Sequence, residues 1–131
     1  MTAEQLVKLA KDAMMKAYAP YSGYYVGAAL LTKAGKVYTG CNIENSAFGP
    51  TNCAERTAFF KAVSEGERAF SAIAVVGGKG GGITGIFPPC GVCRQVMQEF
   101  CGPDFLIHMG GKNGEIRTAT LEELLPLGFN L

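Results

Sequence analysis

Three cysteines lie at the predicted starts of two helices that are far apart in the sequence. Cys90 and Cys93 form a C-x-x-C pair in "PPCGVCRQV", where two prolines precede a predicted helix. Cys53 begins a second predicted helix, directly after a loop that ends in Pro50-Thr51-Asn52. The partial positive charge at a helix start favours the thiolate form of a cysteine. The sequence therefore predicts three activated thiolates in one chain.

A C-x-x-C pair at a helix start fits either of two functions. One helical turn separates the two sulfurs, so they can bind the same zinc ion, but "CGVC" is also close to the redox dithiol of thioredoxin-type proteins. Cys53 favours zinc, because three thiolates suit a metal better than a two-cysteine redox couple. The chain has five cysteines and no apparent secretion signal, which indicates thiols or metal ligands before disulfides.

The two remaining cysteines and the single histidine differ as candidates for a fourth ligand. Cys101 follows Cys93 along the predicted helix by a distance of about 12 Å, which is too far to share the ion. His108 lies inside an apolar strand, where packing or a surface position is the more common role. Cys41 stays open as a fourth ligand, so a closed structural zinc site is an alternative to a catalytic one.

Glu55 lies two residues after Cys53, in the first turn of the same predicted helix. This spacing is about 200° around an ideal helix, so Glu55 is badly placed to bind the ion together with Cys53. A carboxylate that lies beside a metal, but not on it, fits the role of a general acid and base. The alternative is that Glu55 only stabilises the helix dipole, which is the more frequent role of a glutamate in a first turn.

The pattern of secondary structure predicts an α/β protein. A capping box at Thr2 and Gln5 begins a first helix that Pro20 closes, and small-residue turns at Gly35 and Asn113-Gly114 predict two hairpins. The order helix, two strands, helix, strand, helix, two strands, helix predicts α-β-α layers, in which a mixed five-stranded sheet carries helices on both faces. With 131 residues and no linker or repeat, we expect one domain over residues 1–131.

Charge and hydropathy exclude several classes of protein. The net charge is +1, and its twelve basic residues form no stripe of the kind that binds a nucleic-acid backbone. The longest apolar runs, "VGAALL" and "AIAVV", are far shorter than the roughly 20 residues that span a bilayer. We therefore expect a cytoplasmic protein in a reducing compartment, without a nucleic-acid or membrane partner.

The ordered set of motifs resembles one enzyme family. "CAE" followed by "PCGVC" is the pattern of zinc nucleobase and nucleoside deaminases that use three cysteines. With "APYSGYYVGAAL", "GCNIENSAFGPTN" and the terminal "ELLPLGF", nearly the whole chain is similar to the short, homotetrameric cytidine deaminases. The resemblance implies a cytidine-deaminase-like fold. It also implies hydrolysis of cytidine and 2′-deoxycytidine to uridine and 2′-deoxyuridine, with release of ammonia, in pyrimidine salvage.

The same resemblance implies roles for the residues around the three thiolates. One zinc per chain would be held by Cys53, Cys90 and Cys93. Glu55 would take a proton from the attacking water and return protons to N3 of the base and to the departing amine. Arg56 resembles the family arginine that hydrogen-bonds the thiolates and offsets their negative charge.

Substrate contacts are implied in the same way. Asn42 and Glu44 match the ribose-binding pair of the family, and residues two apart at a strand end face the same side. Alternatively, both residues only stabilise the turn at the start of the loop that "NIEN" opens. The backbone of Ala54 lies where the family contacts the base. Since no basic residue adjoins the pair, an uncharged nucleoside is favoured over a nucleotide.

Three aromatic positions complete the implied site. Tyr24-Tyr25 stands where the family usually has Phe-Pro, so Tyr24 would stack on the base. Phe48 stands where tyrosine is common, in a loop that reaches the site of a neighbouring subunit. Phe129 matches a C-terminal aromatic near the pocket, with plain packing as its alternative. Another aminopyrimidine, or an aminated antibiotic, is the alternative substrate.

Overall fold

The computed structural model describes residues 1–131 and has the predicted order of elements. The helices are α1 (Ala3–Met14), α2 (Ala54–Ser64), α3 (Gly91–Phe100) and α4 (Leu121–Leu124). The strands are β1 (Tyr24–Thr32), β2 (Val37–Cys41), β3 (Phe70–Lys79), β4 (Leu106–Gly110) and β5 (Ile116–Thr120). None of the helices has the length and apolar character needed to cross a membrane.

The five strands form one mixed sheet in the order β2-β1-β3-β4-β5. β3 and β4 are parallel, and the other three neighbouring pairs are antiparallel. Parallel strands need a crossover connection, and here that connection contains α3. The C-x-x-C pair therefore lies on the crossover from the central strand of the sheet.

Helices cover both faces of the sheet, as predicted. Alternate residues of a strand point to opposite faces, and β3 shows this with Ala74 on one side and Ile73 on the other. Ala74 packs in a core that includes Leu6 of α1, while Ile73 packs in a larger core that includes Phe59 of α2 and Met97 of α3. The prediction of α-β-α layers is confirmed.

The first helix is shorter than its periodicity predicts. The capping box of Thr2 and Gln5 is present, but α1 ends at Met14 and not near Pro20. The chain then leaves the helix because Tyr18 pairs with the loop after β2: its N–H donates to Asn42 O, and its carbonyl accepts from Glu44 N. This long-range pairing outweighs the local helical pattern.

The turn between β4 and β5 agrees with its sequence signal. Asn113 and Gly114 have φ values of 60° and 77°, the left-handed backbone that an Asn-Gly pair tolerates in a tight hairpin. Gly35, in the turn between β1 and β2, has a φ of 93°. Both predicted hairpins are therefore present, and both turns use the residues that the sequence indicated.

Gly40 allows the start of α2 to approach the sheet closely. A methyl group on this β2 residue would lie 2.5 Å from the carbonyl oxygen of Ala54 and 2.6 Å from the amide nitrogen of Ala58. Both contacts are far inside van der Waals distance, and both partners are backbone atoms that cannot rotate away. The absence of a side chain at Gly40 thus fixes where the first turn of α2 lies.

We expect Gly40→Ala to displace α2 and to lower the free energy of unfolding by about 1–3 kcal/mol, the usual cost of overpacking. Denaturant unfolding measures this change. Gly85→Ala is the matched control, because a methyl group there would meet no atom within 4 Å. Equal stability of the two variants would show that the close approach at Gly40 does not matter.

Candidate metal centre and active site

The candidate metal centre lies where two helices begin next to each other, and a cysteine caps each of these helices. Cys53 is the N-cap of α2 and Cys90 the N-cap of α3, both with extended backbone. Neither sulfur makes a capping hydrogen bond to its own helix. The positive ends of both helix dipoles consequently face a pair of sulfurs that are free to bind another group.

The sulfur atoms of Cys53, Cys90 and Cys93 have the spacing of ligands on one metal ion. The distance from Cys53 Sγ to Cys90 Sγ is 3.8 Å, and that from Cys90 Sγ to Cys93 Sγ is 3.6 Å. All three sulfurs lie within 4.8 Å of one another. Two thiolates bound to a tetrahedral zinc at about 2.3 Å each lie about 3.8 Å apart. The group therefore fits zinc in both chemistry and distance.

The other candidate ligands lie elsewhere. Cys101 caps the opposite end of α3, as expected from its distance along the helix. Cys41 ends β2 and does not belong to the three-sulfur group; its carbonyl accepts a hydrogen bond from Thr57. His108 lies on β4, with Nδ1 2.8 Å from the hydroxyl of Thr118. A closed site of four protein ligands is not formed by this arrangement.

Arg56 supplies positive charge to the sulfur group. Its Nη2 donates to Cys53 Sγ over 3.2 Å. A hydrogen bond from Cys93 lowers the pKa of Cys53 to about 5, and Arg56 adds to this effect against the opposing effect of burial. The same hydrogen bond to Cys53, together with burial, raises the pKa of Cys93. Arg56 thus places a cation directly against the sulfur group.

Glu55 is buried next to this group, with 4% of its surface exposed. Burial raises the pKa of its carboxyl to about 7, and the negative charge of Cys53 acts in the same direction. Its carboxylate does not belong to the group of atoms that could hold the metal. A carboxyl that is half protonated near neutral pH can both accept and donate a proton there.

A cavity of about 280 Å³ opens beside the sulfurs. Fourteen residues line it, and they include seven of the predicted site residues: Tyr24, Asn42, Glu44, Cys53, Ala54, Glu55 and Cys90. Lysine and arginine are absent from the lining. The residues predicted from three separate stretches of sequence therefore share one concave pocket whose lining carries acidic but no basic side chains.

Asn42 and Glu44 are both held by backbone groups at the cavity. Asn42 Oδ1 accepts from Val26 N–H, and its Nδ2 donates to the carbonyl of Tyr24, each over 2.8 Å. Glu44 Oε1 accepts from the N–H groups of Tyr21 and Ser22 over 2.9 and 3.1 Å. Both side chains therefore line the cavity, and their hydrogen bonds reach a distant segment of the chain, not the local turn.

Two predicted aromatic residues lie outside the cavity within a single chain. Phe48 is 85% exposed and borders an adjoining cavity of about 300 Å³ together with Tyr21 and Glu44. Phe129 is 73% exposed, in a C-terminal segment that Asn130 fastens to Gln98 of α3. Neither ring reaches the pocket of its own chain.

The sequence did not point to several residues that line the cavity. Phe87 forms an aromatic wall with Tyr24, with ring centroids 6.0 Å apart, and Ser22 also lines the cavity. The position of Phe87 three residues before Cys90 was a usable signal, since the chain must pass the site there. Val75, in the centre of β3, carries no such signal, because the apolar run around it does not show which face of the strand holds a site.

Comparisons with known proteins agree with this geometry. A family model for the cytidine and deoxycytidylate deaminase zinc-binding region matches residues 1–109. A cytidine deaminase of Sporosarcina psychrophila is 50% identical over 99% of this chain and 93% of its own length. One from Halalkalibacterium halodurans is 51% identical over 98% of this chain and 95% of its own length.

The fold of this chain is also similar to that of cytidine deaminases with solved structures. The crystal structure of a cytidine deaminase from Burkholderia pseudomallei has a TM-score of 0.91 and 48% identity, and the match covers 98% of this chain and 100% of that one. Fold and site define a zinc-binding deaminase. The chain belongs to the cytidine and deoxycytidylate deaminase family, and its cofactor is zinc.

We expect protein purified without added metal to contain about one zinc per chain. Cys53→Ala removes one ligand and the thiolate that Arg56 contacts, so it should lose the metal. Cys101→Ala is the matched control and should keep it, because Cys101 lies at the far end of α3. Elemental analysis decides, and loss of zinc from the Cys101 variant would refute the ligand assignment.

Proposed function

We propose that the protein deaminates cytidine and 2′-deoxycytidine by hydrolysis and that Glu55 is its proton-transfer group. The observation that carries this proposal is a buried carboxyl with a pKa near 7, placed beside three sulfurs and inside the same cavity. Two relatives that are 50% and 51% identical to this chain are cytidine deaminases. The products are uridine or 2′-deoxyuridine and ammonia, as pyrimidine salvage requires.

Cys53, Cys90 and Cys93 would hold the zinc, which activates water for attack on C4 of the pyrimidine. Glu55 accepts one proton of that water and delivers it to N3. The second proton of the water reaches the exocyclic amine, again through Glu55, as the C4–N bond breaks and ammonia leaves. Arg56 keeps Cys53 in its thiolate form through the hydrogen bond to Sγ. One carboxyl thus serves both halves of the reaction.

The lining of the cavity supports a nucleoside as the substrate. Asn42 and Glu44 offer polar groups to the sugar hydroxyls, and the ring of Tyr24 offers a stacking surface to the base. The backbone of Ala54, at the start of α2, lies beside Glu55 and is available to the base. A nucleotide would bring a phosphate into a pocket that has two glutamates and no cationic side chain.

The proposal includes assembly into a homotetramer with shared active sites. Phe48 lies close to the sugar end of the cavity, beside Glu44, yet remains almost fully exposed. Tyr21 lines the same adjoining cavity and adds exposed apolar surface next to it. Such a patch is typical of a surface that another subunit covers. We further propose that residues 1–131 form one domain and that it works in the cytoplasm, where its five free cysteines stay reduced.

We expect light scattering on the purified protein to give four times the mass of one chain. Burial of Phe48 and Phe129 between subunits would supply part of the driving force, through removal of apolar surface from water. A monomer with full deaminase activity would refute both the assembly and the shared site.

Replacing Glu55 with glutamine tests the mechanism. Glu55→Gln keeps the size of the side chain but cannot carry a proton, so kcat for cytidine should fall by at least about 10²–10⁴-fold. Zinc content and thermal stability should remain close to those of the wild type, because the carboxyl is not a metal ligand. All three are measured on one preparation.

Glu65→Gln, at the far end of the same helix, is the matched control and should leave turnover unchanged. If zinc is lost together with activity, Glu55 is structural. If activity persists, the proton transfer described above is wrong.

A further inference from the structure

The hydroxyl of Ser22 joins two walls of the cavity. Ser22 Oγ donates to Oε2 of Glu44 and accepts a hydrogen bond from the N–H of Tyr24 over 3.0 Å. Glu44 belongs to the end of the cavity proposed for the sugar, and Tyr24 to the wall proposed for the base. A single small side chain thus contacts the residues assigned to both halves of a nucleoside.

Ser22 and its neighbour hold the Glu44 carboxylate in one orientation. The carboxylate accepts hydrogen bonds from the N–H groups of Tyr21 and Ser22 and from the Ser22 hydroxyl. The Ser22 hydroxyl is the foremost cause of a lowered pKa at Glu44, so the group stays ionised. An exposed glutamate without such contacts would lose side-chain freedom on binding a ligand, at a cost in affinity.

The peptide of Tyr24 is fixed from both sides. Its N–H donates to Ser22 Oγ, and its carbonyl accepts from Nδ2 of Asn42. Asn42 and Glu44 are the proposed sugar contacts, so both of them connect to the backbone of the proposed base contact. The four residues form one hydrogen-bonded series: Glu44, Ser22, Tyr24 and Asn42.

We propose that Ser22 is a positioning residue that orients Glu44 toward the sugar hydroxyls and ties that orientation to the base-contacting wall at Tyr24. This inference rests on the proposed function, because it presumes a nucleoside in the cavity. Ser22 takes no part in proton transfer. Its removal therefore weakens binding of substrates that carry sugar hydroxyls and leaves the chemical step largely intact.

The first test compares two nucleosides in Ser22→Ala. With cytidine, we expect KM to rise about 10-fold, the order of one hydrogen bond to a charged group, while kcat changes by less than about 3-fold. With 2′,3′-dideoxycytidine, which offers no 2′ or 3′ hydroxyl to Glu44, KM should change by less than about 2-fold. Titration of the product uridine should show the same loss of affinity as cytidine.

Three further variants separate positioning from general damage. Ser22→Thr keeps the hydroxyl at an exposed position and should restore the wild-type KM. In a Glu44→Ala background, Ser22→Ala should have no additional effect, because the group that it orients is gone. Ser64→Ala removes an exposed serine hydroxyl that bonds only Lys61 O on α2 and should match the wild type.

The possible outcomes distinguish this inference from the proposed function. Wild-type protein that neither binds nor deaminates cytidine would refute the proposed function. The inference alone is overturned if an active wild type is matched by Ser22→Ala, if both nucleosides lose affinity equally, or if Ser22→Thr is as impaired as Ser22→Ala. Additive effects of Ser22→Ala and Glu44→Ala would overturn it as well.

Discussion

The site depends on two helix starts that lie against each other on one side of the sheet. Cys53 and Cys90 cap α2 and α3, so the positive ends of both helix dipoles act on the same small volume. Thiolates and a buried carboxyl are costly to desolvate without such compensation. Gly40 permits the close approach of α2, and the crossover between the parallel strands β3 and β4 brings α3 to the same place.

Charge balance explains why the residues around the sulfurs are of such different kinds. Three thiolates on a divalent ion leave a formal charge of about −1, which Arg56 and the helix starts offset. Glu55 is almost fully buried beside the sulfur group, and this burial raises the pKa of its carboxyl to about 7. A carboxyl with a pKa near 7 can both accept and donate a proton near neutral pH, which is the property that proton transfer needs.

Features governed by short stretches of sequence could be predicted. The cysteine spacing, the Asn113-Gly114 turn and the order of elements each follow from local chemistry, and the structure has all three. Features that depend on distant contacts could not. The pairing of Tyr18 with the loop after β2 ends α1 early, and the contacts of Ser22 with Glu44 come from residues 22 positions apart in the sequence. The positions of Phe48 and Phe129 also could not be predicted from local sequence, and within one chain neither ring reaches the cavity.

We expect three sulfurs of this chain, and no fourth, to hold the zinc and to leave one position open for chemistry. Zinc-edge X-ray absorption on the purified protein tests it directly, because sulfur and oxygen ligands differ in distance. The expected result is three sulfurs at about 2.3 Å and one oxygen or nitrogen ligand at about 2.0–2.2 Å. Four sulfurs, with Cys41 or Cys101 as the additional ligand, would make the zinc structural and refute a catalytic zinc site.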